Sequence, residues 1–258
     1  MTRALPAPVY GAAGLAALLA VLEAAPRLGL VDARFLPPAS EILAELGGLL
    51  LTPGLWIALG ETLRGWALGL AIAFVAAVAA GVLIDLVPGL RAASNSTIEF
   101  LRPIPSVALI PLATLLFGAS LGSTLLLVVY ASFWQVLIQV LYGVADVDTV
   151  ARDTARSYGL GRWSYIRHLV WPTALPYVMT GVRLAAAVAF ILAITAELVI
   201  GSPGLGLEIQ TAQSGGAVPT VYALVVLTGL IGIAVNVGVR ALERRVLAWH
   251  PSVRGTSQ

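Results

Sequence analysis

The sequence predicts an all-α polytopic membrane protein: one domain spanning residues 1–258, six membrane-crossing helices, and both termini on the same side. Three observations lead there. Hydrophobic residues make up 59% of the chain and charged residues only 11%, against about 25% charged in a soluble domain. Mean hydropathy is +0.94, and a soluble chain of this size could not cover its surface with so few charges. The apolar residues are also gathered into separate runs near the roughly 20 residues that cross a bilayer.

The first run covers 8–25. The polar excursion after it, RLGLVDARFLPPASEILAEL, contains Pro37-Pro38 and then Ser40, which is suited to capping a short surface helix over 41–51. The second span is expected at 63–86, followed by the water-side residues Asp85, Pro88, Arg91, Asn95 and Glu99. The third, 103–117, is short and interrupted by Pro105 and Pro111. Such prolines free backbone carbonyls and mark a kink in protein-buried surroundings. GASLGS forms a turn, the fourth span covers 121–144, and a polar loop occupies 145–176. The fifth span covers 177–200, GSPGLG opens the next loop, and the sixth, 221–239, ends in the basic tail RALERRVLAWHPSVRG. No internal repeat is visible.

All fifteen basic residues are arginine, and their placement sets the topology. One side carries Arg3, Arg91, Arg102, Arg152, Arg156, Arg162, Arg167, Arg240, Arg244, Arg245 and Arg254; the other carries Arg27, Arg34 and Arg64. The positive-inside rule then puts both termini and the 87–102 and 145–176 loops in the cytoplasm. With this arrangement the pI of 9.2 reflects orientation in the membrane, not nucleic acid. The N-terminal apolar run lacks a convincing cleavage site and reads as a retained helix. Cysteine is absent, which removes disulfides and thiolate sites. His168 and His250 both lie outside the apolar runs, so no histidine-based site sits within the membrane. A P-loop ATPase needs its lysine, and the chain has none; any energy from ATP must come through another polypeptide.

The 145–176 loop holds the longest polar stretch, ARDTARSYGLGRWSYIRHLVWPTALP. Asp148 can cap a helix over 149–158, and Gly159 suits the left-handed residue that ends it. A second helix over 162–170 is expected to stop at Pro172. In that helix Trp163, Ile166 and Val170 share one face at helical spacing, with Arg162 and Arg167 away from it. The loop is either a solvated connector or a docking element with an apolar ridge and a cationic rim. The agreement of corner, stop and ridge favours docking.

These residues resemble the EAA loop of ABC importer permeases, E-A-A-x3-G-x9-I-x-L-P. Asp153-Thr154-Ala155 stands for E-A-A, Gly159 for the glycine, Leu169 for the isoleucine, Trp171 for the leucine and Pro172 for the proline, with the Gly159–Pro172 spacing kept. FLPPASEIL (35–43), FLRPIPSVALIPLATLLFG (100–118), TALPYVMTGVRLA (173–185) and AELVIGSPGLG (196–206) are similar to the nitrate/sulfonate/taurine branch of that family. The resemblance implies a type I ABC importer permease fold in the bacterial cytoplasmic membrane. It also implies a second permease chain completing a homodimer, and two ATPase subunits on the cytoplasmic loop that carry the ATP and Mg2+. An extracytoplasmic binding protein would deliver a small anion, such as a sulfonate, taurine or nitrate. ATPase coupling falls to Asp153, Thr154, Ala155, Gly159, Arg162, Trp163, Ile166 and Pro172.

Polar residues within spans face cavities or partner helices. Ser132, Gln135, Gln139 and Tyr142 lie at i, i+3, i+7 and i+10 on one face of the fourth span. They either line a path or bond between helices. Arg183, Glu197 and Asn236 are further path candidates, each with a plainer reading as an anchor or boundary residue. GASLG fits G-x-S-x-G formally, but it lacks the strand–turn–helix setting of a nucleophile elbow, and GSPGLG is a turn. Two rival classes are an ion-gradient-driven transporter, expected to show repeated halves and buried charge pairs, and a passive scaffold for an ATPase. Related ABC importers for pyrimidine precursors or aromatic carboxylates form a nearer alternative.

Overall fold

The computed structural model describes residues 7–249 with the exception of Pro88; Arg3, His250 and Arg254, used above, lie outside the described residues, as does Pro88. In chain order the helices are α1 (Ala7–Arg27), α2 (Ala39–Leu49), α3 (Pro53–Leu86) and α4 (Leu90–Leu101). A 3-10 turn (Ser106–Leu109) leads into α5 (Ile110–Phe117) and then α6 (Leu121–Ala145). The water-side loop holds α7 (Thr149–Ser157) and α8 (Arg162–Tyr165), joined by a π turn (Ile166–Val170) to α9 (Trp171–Ile200). α10 (Leu205–Ser214) and α11 (Val218–Val246) complete the described chain. Among the described residues, five segments are long and apolar enough to cross a membrane: α1, α3, α6, the stretch containing α9, and α11.

The sixth crossing differs from expectation. Instead of a span at 103–117, α4 and the 106–117 segment form a pair bent by 80°. α5 has only eight residues, about 12 Å at 1.5 Å per residue, too short to cross alone. Pro103 and Pro105 fall in the break, and backbone groups there find side-chain partners. Tyr130 Oη donates to the Leu101 carbonyl at 2.7 Å, and Ser123 Oγ reaches the carbonyls of Ala113 and Gly118. Irregular backbone at membrane depth persists where protein satisfies it.

Three further boundaries move. α3 begins ten residues before the predicted start at 63, because Glu61 and Arg64 pair along its surface at 3.7 Å and do not interrupt the helix. At 34 residues it is about 51 Å long, well beyond the ~30 Å hydrocarbon thickness. Ser40 does not cap α2. The helix starts at Ala39, and Glu23 of α1 accepts from both the Ser40 amide (2.8 Å) and its hydroxyl (2.9 Å). α2 also buries Ala39, Ile42 and Leu46, the latter two in a core shared with Leu224 and Leu227 of α11. Pro172 does not end the loop helix. It follows just after the π turn Ile166–Val170, and the chain remains helical from Arg162 to Ile200.

The core is a three-helix block in which α6 packs most extensively on α9 and α3. α3 buries Gly65, Gly69, Ala73, Ala77 and Gly81 at four-residue spacing, a small-residue stripe that lets backbones approach closely. A Cβ on Gly69 would strike Val128 of α6, and one on Gly81 would strike Val140. On α9, Ala185, Ala189, Ala193 and Ala196 repeat the pattern. α1, by contrast, is almost wholly exposed.

Candidate functional site

The loop between α6 and α9 is built as its sequence implies, with one rearrangement. Asp148 Oδ1 accepts the Ala151 amide at 2.9 Å, capping α7. The helix closes through Leu160 N–H to the Ala155 carbonyl and Gly159 N–H to the Arg156 carbonyl, both at 3.0 Å, with Gly159 at φ +67°. Only glycine takes that left-handed position without strain. Asp153, Thr154 and Arg156 face water, while Ala155 turns inward and is buried.

The predicted ridge is split. Val170 is 4% exposed and belongs to the core with Val140, Val144 and Ala174. Ile166 is half-buried, and Trp163 is 71% exposed. The cause is the π turn: its i→i+5 bonds underwind the helix, so a seven-residue spacing no longer returns to the same face. Val150 (72% exposed), Tyr158 (81%) and Leu160 join Trp163 as apolar groups left uncovered on a polar loop. The sequence reading missed Val150 and Tyr158, although both stand among charged residues where no lipid would cover them. Arg162 and Arg167 are exposed, and Pro172 is half-buried at the root of α9.

The path candidates fall in three places. On α6, Ser132 is buried and its Oγ has no hydrogen-bond partner among the described residues. Gln135 and Gln139 are half-buried and Tyr142 is exposed; Gln139 lies against Gly181 of α9. Arg183 and Asn236 are brought together with Arg240 along a groove of about 420 Å3 between α9 and α11. Glu243, unremarked in the sequence, pairs with Arg183 at 3.8 Å.

Glu197 is elsewhere again. It is 1% exposed, and its Oε2 accepts from Thr62 Oγ1 (2.8 Å) and from the Gly206 amide (3.0 Å). Thr62 Oγ1 in turn accepts the Leu205 amide at 2.9 Å. The network fastens α3, α9 and the start of α10. Gly204, at φ +151°, passes so close that a Cβ would collide with the Glu197 carboxylate. GSPGLG is therefore a turn moulded over a buried carboxylate, and Thr62 is the partner the sequence reading did not identify.

The bundle and its water-side loop define a helical membrane-transport subunit. Solved structures bear out the fold. The MetNI methionine ABC transporter in inward-facing form matches with TM-score 0.64 and 18% identity, over 74% of this chain and 95% of that one. A bacterial ABC transporter involved in alginate import matches with TM-score 0.65 and 14% identity, over 92% and 96%. The architecture is the type I ABC importer permease fold. Residues 69–248 match the family described as binding-protein-dependent transport system inner membrane component, and the chain belongs to that family. Among its relatives, the taurine transport system permease protein TauC of Escherichia coli K12 is 32% identical over 245 residues, covering 93% of this chain and 89% of its own. The nitrate import permease protein NrtB of Leptolyngbya laminosa is 26% identical over 194 residues, covering 75% and 70%.

Proposed function

We propose that this chain is the permease subunit of an ATP-driven importer in a bacterial cytoplasmic membrane, carrying a small anion of the sulfonate, taurine or nitrate kind. Its taurine and nitrate permease relatives support the substrate class. A solved alginate importer complexed with a substrate-bound periplasmic protein supports delivery by an external binding protein. Two copies of the chain form the path, and two ATPase subunits bind beneath it, holding ATP and Mg2+. The arginine distribution supports cytoplasmic termini.

The observation that carries the reading is the uncovered apolar group of Val150, Tyr158, Leu160 and Trp163 on a loop whose second half is continuous with α9. Large apolar side chains left exposed among charged residues on a polar loop point to a protein contact. Movement of that contact is delivered straight into a spanning helix. Closure of the ATPase pair pushes the loop, α6 and α9 turn with it, and the cavity opens toward the loaded binding protein; hydrolysis reverses the motion.

The test is co-purification in mild detergent followed by reconstitution. A P-loop ATPase should accompany the chain, and proteoliposomes containing both, with the binding protein, should take up labelled taurine or nitrate only with ATP. Uptake that follows an imposed ion gradient and ignores ATP would overturn the proposal.

A further inference from the structure

Behind the loop lies a second feature, which shares Ala155, Leu160 and Arg162 with the proposed docking element. A cavity of about 280 Å3 separates the last turn of α3 from α7 and α8, lined by Asp85, Arg152, Arg156, Arg162 and Tyr165 and floored in part by Ala155. Three guanidinium groups thus face one carboxylate. Arg156 is held only by Asp153, at 3.8 Å and with both side chains about three-quarters exposed, a pairing of little strength. Arg162 forms no ion pair among the described residues. Most telling is Arg152. Its Nε is buried yet has no hydrogen-bond partner among the described residues, and buried donors on a charged group are rarely left unmet.

We infer that this cavity binds a phosphate-type oxyanion, either free in the cytoplasm or as the head group of an acidic phospholipid. Arginine forks match the oxygens of such an anion in pairs. The anion would balance the excess of positive charge, meeting the guanidinium groups of Arg152, Arg156 and Arg162 that line the cavity, with the Tyr165 hydroxyl as a neutral donor. Because the lining residues come from α3 on one side and from α7 and α8 on the other, a bound anion fastens the loop to the bundle. Its effect on coupling rests on the proposed function; the binding itself does not.

The test uses the full-length chain, delipidated in detergent, with two probes at constant ionic strength: inorganic phosphate followed by calorimetry, and short-chain phosphatidylglycerol followed by native mass spectrometry. Saturable binding of either is expected, at least tenfold weaker in Arg162→Gln and Arg156→Gln, whose exposed side chains leave the fold intact, and unchanged in Arg34→Gln, an exposed arginine outside both the cavity and the α9–α11 groove. Phosphate binding identifies a soluble ligand, and lipid retention without phosphate binding identifies the membrane as its source. The inference fails if neither probe saturates, or if Arg34→Gln weakens binding as much as Arg162→Gln. It also fails if an ATPase side chain fills the cavity in the assembled complex while neither probe binds the free chain.

Discussion

Trp163→Ala separates docking from folding more cleanly than any other change in the loop. An aromatic side chain of this kind buries roughly 150–250 Å2, and Trp163 is 71% exposed, leaving about 140 Å2 for a partner. At about 25 cal/mol per Å2 that is ~3.5 kcal/mol of gross burial. Immobilising the contact takes back part of it, so a net loss of about 2 kcal/mol is expected, within the range of interface hot spots. This corresponds to ATPase binding weakened roughly 30-fold. The assay is ATPase affinity for the permease in nanodiscs, measured beside the thermal unfolding of the permease alone. Trp163→Ala should reduce affinity and leave unfolding unchanged. Val170→Ala, which hollows the core, should lower stability by about 2 kcal/mol. Affinity within twofold of wild type for Trp163→Ala and for Tyr158→Ala would refute the docking face, as would a Trp163→Ala melting loss equal to that of Val170→Ala.

Gly159→Val forces a branched residue into the left-handed region at about 1–2 kcal/mol and should disturb the corner between α7 and α8; ATP hydrolysis uncoupled from uptake is the expected reading, and normal coupled uptake would count against it. Glu197→Leu leaves Thr62 Oγ1 and the Gly206 amide without their acceptor, at about 1–3 kcal/mol for each buried donor; a large fall in melting temperature is expected, with Glu197→Gln milder. Gly81→Leu drives a side chain into Val140 and should destabilise by at least the ~1–3 kcal/mol typical of overpacking, whereas Gly60→Leu, with open space around it, should be neutral in the same melt.

What was legible in the sequence was what local chemistry decides. Asp148 and Gly159 mark the ends of α7 because a carboxylate cap and a left-handed glycine act within a few residues. The number of apolar runs gave the architecture. The rest depended on distant partners. Ser40 reads as a cap, but Glu23, seventeen residues away, is the acceptor there. Pro172 reads as a stop, and only the π turn before it shows why the helix continues. The same turn moves Val170 inward and leaves Trp163 outside. Pro105 and Pro111 signalled a broken third span, but composition could not show that the bend reaches 80° or that α4 forms its other arm. The four-residue rhythm from Gly65 to Gly81 was a usable signal of close helix packing, overlooked among so many apolar neighbours. Of the path candidates, only Arg183 and Asn236 come to share one groove, since the pairing of α9 with α11 is a tertiary fact.

α9 runs for thirty residues from Trp171 to Ile200, about 45 Å, from the root of the water-side loop to the carboxylate of Glu197. It is one helix throughout, with Pro176 in its second turn as the place where it can bend. At its far end Thr62 and the Gly204 turn are clamped to Glu197. Under the proposed mechanism, one helix thus joins the loop contact to the Glu197 clamp with no intervening loop.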